Sequence, residues 1–389
     1  MRLEMEFETL TKNIEYLTGW RVVGNSCSVY KDGKQVYTHA SGYSDRENGI
    51  LMTGNETHYL YSVSKVITCA LAMTLWERGI LHLDSPISDV LPEWKAPLVR
   101  VADADGNEKL VPAERPITVR NLFTMTAGLT YDRDTPQIRA AYERTGGRLP
   151  TREISRALAQ TPLIFQPGTA WRYSLCHDLL AAYCEELIGE RFGDFAERTF
   201  FAPLGMTRTS YGVKKGKNDD VAPLYKFEPD TETAHLNETQ RNTYILGSEY
   251  DCGGAGVVSC RDDAAKLMDA LARGGVSADG VRIIGEDTLK LMRENEIAAV
   301  RDSWQWEQYR HYNYGLGVYT LDDPVALGVP NAPRKIFGWC GAAGYHVIID
   351  MDNKLSLVYA EQMHNSQEHT FLKLMREGLY ADENKGLLF

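Results

Sequence analysis

Tyr59-Leu-Tyr-Ser-Val-Ser-Lys-Val-Ile-Thr-Cys-Ala-Leu-Ala-Met-Thr-Leu-Trp76 carries a single charge, Lys65. From Ser62 to Trp76 nearly every residue is apolar or small, the run lasts about four helical turns, and Gly79 stands where a helix end is expected. A helix this apolar is buried on most sides, so a lone lysine in its first turn needs a polar reason. Residues three apart share a helix face, which brings the Ser62 hydroxyl within reach of the Lys65 amine. Burial that makes the cation costly lowers its pKa, so the amine can take a proton from serine, and free N–H groups at the helix start can hold an oxyanion. Ser62 as a helix cap and Lys65 snorkelling to solvent would give the same spacing, so the rest of the chain has to decide.

Working outward, the chain has 389 residues, 43% of them apolar and 24% charged, enough for one large or two modest globular domains. The net charge of −11, with no basic stretch, argues against nucleic acid as a partner and against polyanionic substrates. The N-terminus has neither a basic nor an apolar leader region, and no run approaches membrane-spanning length, so the expected location is the cytoplasm, with no membrane partner. Seven scattered cysteines without Cys-x-x-Cys spacing indicate neither a disulfide framework nor a zinc site.

On the N-terminal side, residues 5–18 have helical spacing and Ser26–His39 reads as a hairpin about Lys31-Asp-Gly-Lys34. From Leu83 to about residue 250 the texture is helix and loop: a helix capped by Thr118, then Thr151–Gln160, Cys176–Ile188 and Phe192–Phe201. Asp103-Ala-Asp-Gly-Asn107 lacks the later ligands of a calcium loop and is expected to be a hairpin turn. Beyond 250 come a helix from Arg261 to Arg273, strands at Tyr314–Thr320, Lys335–Trp339, Tyr345–Ile349 and Leu355–Ala360, and a final helix from Gln367 to Tyr380. Strands at both ends imply an α+β fold: one antiparallel sheet flanked by helices, with an inserted, mostly helical domain. The expected division is residues 1–85 plus 250–389 against residues 86–249, with the active site in the cleft between them.

Ser62-x-x-Lys65, Leu83-Asp-x-Pro86, Leu91-Pro92, Thr126-Ala-Gly-Leu129, Pro167-Gly-x-x-Trp-x-Tyr-Ser174, Pro203-Leu-Gly-Met206, Gly253-Gly-Ala-Gly-x-x-Ser259 and Tyr314-Gly-Leu-Gly317 occur in this order. The ordered set, from about residue 20 onward, resembles the class C β-lactamase-like serine hydrolases, which include family VIII carboxylesterases and DD-peptidases. The resemblance implies a β-lactamase/transpeptidase-like fold and an acyl-enzyme mechanism that needs no metal or organic cofactor. Its second catalytic element maps to Tyr173-Ser-Leu175, making Tyr173 the general base or acid beside Lys65 if the cation lowers the phenol pKa. Leu175 stands where the family has Asn or a substitute, which puts its amide contact with lactam and peptide substrates in doubt.

The third element maps to Trp339-Cys340-Gly341 on an edge strand, followed by Ala342. There the Ala342 N–H can complete an oxyanion hole with that of Ser62, since backbone donors do not depend on side-chain identity. Trp339 replaces the cation that would anchor a carboxylate and offers an apolar wall suited to an ester. Cys340 is read as a small buried residue. Tyr61, Tyr131 and Asp132 are weaker cleft-lining candidates, while His177, starting a helix that Asp178 also caps, and His346 are read as structural. The cluster Trp304-Gln-Trp306-x-x-Tyr309-x-x-Tyr312 is either a lid or a packed loop. The expected activity is a serine hydrolase acting on a small acyl ester, with a lactamase, peptidase or acyltransferase as alternatives and a non-enzymatic scaffold disfavoured.

Overall fold

Strand Gly24–Lys31 pairs antiparallel with Lys34–Asp45 on one side and Leu355–Glu361 on the other in the computed structural model, which describes residues 7–102, 106–304, 309–366 and 368–388. The register Asn25↔Glu361 through Lys31↔Leu355 joins the two ends of the chain in one sheet. Its eight strands run Tyr312–Tyr314, Tyr319–Leu321, Phe337–Cys340, His346–Asp350, Leu355–Glu361, Gly24–Lys31, Lys34–Asp45 and Ile50–Leu51, all antiparallel. Leu355–Glu361 is buried at every position, as a strand covered on both faces must be.

Helices Glu8–Trp20 and Glu368–Leu379 pack together, and Gly378 makes their approach possible: a Cβ there would lie 2.6 Å from Leu10 Cα. Helix Arg261–Ala272 packs on the central strands. The mostly apolar segment is a 3-10 turn, Tyr61–Val63, running into the helix Ser64–Glu77, which is buried from Ser64 to Leu75. It is pinned by Val257 N–H to Ser64 Oγ (2.9 Å) and by Thr68 Oγ to Gly253 O (2.6 Å).

Between residues 86 and 249 lie the helices Val119–Phe123, Pro136–Arg144, Thr151–Leu158, Cys176–Ile188 and Phe192–Ala196, the last continuing as a π turn to Phe201. Thr118 caps the first of these in a capping box with Asn121. The hairpin Leu98–Ala102 with Glu108–Pro112 brackets the acidic turn, of which residues 103–105 lie outside the described residues.

Two expectations need correction. Tyr314–Thr320 is a hairpin rather than one strand, because the chain must turn at Gly317 (φ +86°), where a Cβ would meet Cys69 Sγ at 2.1 Å. Phe337–Cys340 is an interior strand rather than an edge strand; its pairing with Tyr319–Leu321 stops at Gly338, leaving only the Trp339–Cys340 end unpaired on that side.

Candidate active site

Ser62 sits in the 3-10 turn Tyr61–Val63, next to Tyr61, a residue held at φ +43°, a costly conformation for a bulky side chain. Against this turn stands the end of the Phe337–Cys340 strand. A Cβ on Gly341 would lie 2.3 Å from Leu60 O, so only glycine lets the two segments meet. Ala342 follows in a tight turn closed by Gly341 N–H to Tyr345 O (2.7 Å) and Gly344 N–H to Gly341 O (2.9 Å).

Ser62 Oγ accepts two hydrogen bonds, from Lys65 Nζ at 3.1 Å and from the Tyr173 hydroxyl at 2.7 Å. Lys65 is 0% exposed and also donates to Gly254 O (2.6 Å) and Tyr131 Oη (3.2 Å), so its three N–H bonds have three acceptors. Burial pushes its pKa down to about 8, with the nearby Asp178 charge pulling the other way. That shift from 10.5 corresponds to about 3 kcal/mol in favour of the neutral amine.

Tyr173 lies in a three-ring stack: Tyr131 is parallel on one side (5.1 Å, 2°) and Trp339 on the other (5.9 Å, 12°). Burial raises its pKa well above the usual phenol value, and hydrogen bonds with Ser62 and Trp339 only partly offset this. The expectation that the lysine holds this phenol low is therefore overturned: Tyr173 rests as a protonated donor. Trp339, expected to be an open wall, is only 4% exposed, backed by Tyr314 (5.4 Å) and Tyr319 (5.6 Å), and its indole N–H bonds the Tyr173 hydroxyl.

The remaining candidates separate. Tyr61 is buried, bonded through its hydroxyl to His364 Nε2 (3.0 Å). Cys340 is half-buried with its sulfur 3.2 Å from Tyr309 Oη. Leu175, at the position that contacts substrate in the family and so a candidate substrate-binding residue, is 2% exposed and packs in the core, its amide bonded to Thr130 O (3.1 Å). Asp132 is exposed. His177 bonds Phe123 O (3.1 Å) and burial holds its pKa at about 3, while buried His346 bonds Trp339 O (3.2 Å). Trp304 packs on Trp171 (4.6 Å), and Tyr309 on Tyr312 (5.8 Å); Trp306 lies outside the described residues.

Asp178 is no cap. It is buried in the first turn of Cys176–Ile188, where Oδ1 accepts from the Tyr250 hydroxyl, Cys252 Sγ (3.2 Å) and Gly254 N–H (3.3 Å). Sequence reasoning missed it, although a charge in an apolar helix is the signal that singled out Lys65. Gly254 stood out only as part of the Gly253-Gly-Ala-Gly256 motif, and nothing local marked its carbonyl or the Tyr131 hydroxyl as a partner of Lys65. Among the described residues no group of three or more His, Cys, Asp or Glu is placed to hold a metal ion.

A family model described as Beta-lactamase matches residues 11–377. The chain belongs to the Beta-lactamase family. Within that family it is similar to Esterase EstB of Burkholderia gladioli, 28% identical over 93% of this chain and 91% of the relative. Acyltransferase calJ of Penicillium decumbens is 28% identical over 85% of this chain and 81% of its own length. Among solved structures, EstCE1, described as a hydrolase with promiscuous acyltransferase activity, superposes with a TM-score of 0.76 at 26% identity, covering 96% of this chain and 99% of its own. The β-lactamase/transpeptidase-like fold and esterase relatives identify this Beta-lactamase family chain as a serine hydrolase. No helix among its described residues is long and apolar enough to cross a membrane.

Proposed function

We propose that the protein is a carboxylesterase that turns over small acyl esters through an acyl-enzyme on Ser62. The observation that carries this reading is the convergence of Lys65 Nζ and the Tyr173 hydroxyl on one Ser62 oxygen. With a pKa near 8, Lys65 is neutral in about one molecule in ten at pH 7. In that form it takes the Ser62 proton as Oγ attacks the ester carbonyl carbon. The Ser62 and Ala342 amides hold the resulting oxyanion. Tyr173, a protonated phenol, gives its proton to the departing alkoxide and regains one from the Lys65 ammonium, which lies 4.7 Å from its ring. Water then releases the acid by the reverse sequence.

Esters are favoured over lactams because Trp339 puts an indole where a cation would hold a lactam carboxylate. The same proposal includes the two-part division at residues 85 and 250, a small-molecule partner rather than nucleic acid or membrane, and a cytoplasmic location. The last agrees with seven free cysteines. Acyl transfer is the second reading, favoured by the acyltransferase activity named for EstCE1 and calJ.

The test incubates wild type and Ser62→Ala with 4-nitrophenyl butyrate, a chromogenic cephalosporin and a fluorophosphonate, followed by intact mass. Ester turnover and one adduct, both lost in Ser62→Ala, are expected, with little cephalosporin hydrolysis. No adduct on wild type refutes the serine-enzyme reading; fast cephalosporin hydrolysis refutes the Trp339 argument. An added alcohol that diverts the acyl group into a new ester would identify transferase activity.

A further inference from the structure

Behind Tyr61 lies a cavity of about 330 Å³ bordered by Arg133, Lys226, Arg241, His364 and Tyr244, with no Asp or Glu among its lining residues. In a chain of net charge −11 such a lining is unusual, and one of its residues, Tyr244, packs against the catalytic cluster. Tyr244 forms the shared wall: its ring packs edge-on against Tyr61 (5.7 Å, 83°) and Tyr131 (5.8 Å, 68°). The Arg133 guanidinium lies 3.7 Å over the same ring and is oriented by a bond to Thr243 O (2.9 Å). His364, also in the lining, bonds Tyr61 Oη (3.0 Å) and so links the cavity to the residue preceding Ser62. Lys226 is neutralised by Glu228 at 2.5 Å, so the net positive charge comes from Arg133 and Arg241, neither of which is in an ion pair among the described residues.

We propose that this cavity is an anion-binding subsite that takes a carboxylate or phosphate at the end of the substrate remote from the ester. The proposal rests on the reading of Ser62 as nucleophile. Guanidinium groups recognise either oxyanion in the same bidentate geometry. The cavity is a full tyrosine side chain away from the Ser62 turn, so the anion must be separated from the reacting carbonyl by a spacer of several carbons. A lactam carboxylate, fixed close to its scissile bond, does not reach it. The anchor absent at Trp339 is thus supplied beyond Tyr61, selecting longer substrates.

The test compares mono-(4-nitrophenyl) adipate with 4-nitrophenyl hexanoate, which differ chiefly in the terminal carboxylate. Wild type is expected to favour the adipate ester in kcat/KM by about tenfold, the scale of one charge-assisted contact. Arg241→Glu should abolish that preference through KM while leaving hexanoate turnover unchanged, and Arg133→Gln should reduce it. Adipate and inorganic phosphate as competing inhibitors separate a carboxylate-selective site from a phosphate-selective one. A wild-type ratio near one, or a preference unmoved by Arg241→Glu, overturns the proposal. If hexanoate itself is not hydrolysed, the esterase reading fails, and calorimetry of adipate and inorganic phosphate with Ser62→Ala judges the subsite alone. Binding of either anion that is lost on adding Arg241→Glu supports it; no binding, or binding that survives, overturns it.

Discussion

Asp178 and Lys65 face one another across Gly254, where a Cβ would lie 2.6 Å from Asp178 Oδ2 and 3.3 Å from Lys65 Nζ. The carboxylate is thus the buried counter-charge of the amine, held at its distance by the one residue type that leaves room between them.

Removing that charge should make the Lys65 cation still more costly. Asp178→Asn keeps an oxygen for the Tyr250 hydroxyl but removes the largest influence opposing desolvation, so the Lys65 pKa falls below its value of about 8. The acidic limb of the kcat/KM profile is expected to move about one unit toward lower pH. An unchanged limb would separate Asp178 from the site.

In wild type, the reactive form is the neutral amine. Below the Lys65 pKa its fraction rises about tenfold per pH unit, so kcat/KM for a neutral ester should climb from pH 6 and level off above about 8. A profile flat across that window would exclude Lys65 as the base.

Gly254→Ala tests the spacing itself. Its methyl must displace Asp178 or Lys65, with an expected loss of about 1–3 kcal/mol in stability, read from urea unfolding, and a larger loss of esterase activity. Full activity in Gly254→Ala would show that the pair tolerates displacement.

Tyr131→Phe keeps the ring parallel to Tyr173 but deletes one acceptor of Lys65. With less to hold the charged form, the Lys65 pKa should drop and the acidic limb move to lower pH, while the amine, no longer oriented by that bond, should lose about a hundredfold in plateau kcat, the lower range for positioned proton transfer. A change in KM alone would mean that the hydroxyl serves the substrate instead.

Trp339→Phe retains the stacked face and removes the indole N–H that bonds the Tyr173 hydroxyl. A fall in kcat of about tenfold with acyl-chain preference unchanged is expected, the scale of one neutral hydrogen bond to a reacting group. A shift in acyl-chain preference without loss of rate would favour the open-wall reading of Trp339.

Much of this architecture was legible because it follows from local periodicity. The hairpin about Lys31–Lys34, the helix Cys176–Ile188 and the terminal strands follow from alternation, helical spacing and turn residues. Tyr314–Thr320 misled because its apolar run hides two glycines that fold it back, and the contacts requiring them, Met292 O for Gly315 and Cys69 Sγ for Gly317, lie far away in sequence. Trp339 was legible as a departure from a cationic pattern but not as a buried partner of Tyr173, because nothing in the local sequence shows which rings stack on it.

By itself the sequence determined that Ser62 and Lys65 share one face at the start of the helix, within reach of each other, because three residues of helical chain fix that spacing. Tertiary structure alone decided how that pair is charged. Gly254, the lysine's closest acceptor, is 189 residues away, and Asp178 and Tyr131 arrive on other segments. The protonation of Lys65 and Tyr173 depends on how completely these segments exclude water, and the basic cavity behind Tyr61 depends on bringing Arg133 to Arg241. Burial and electrostatic environment are properties of packing across the chain, and no local spacing encodes them.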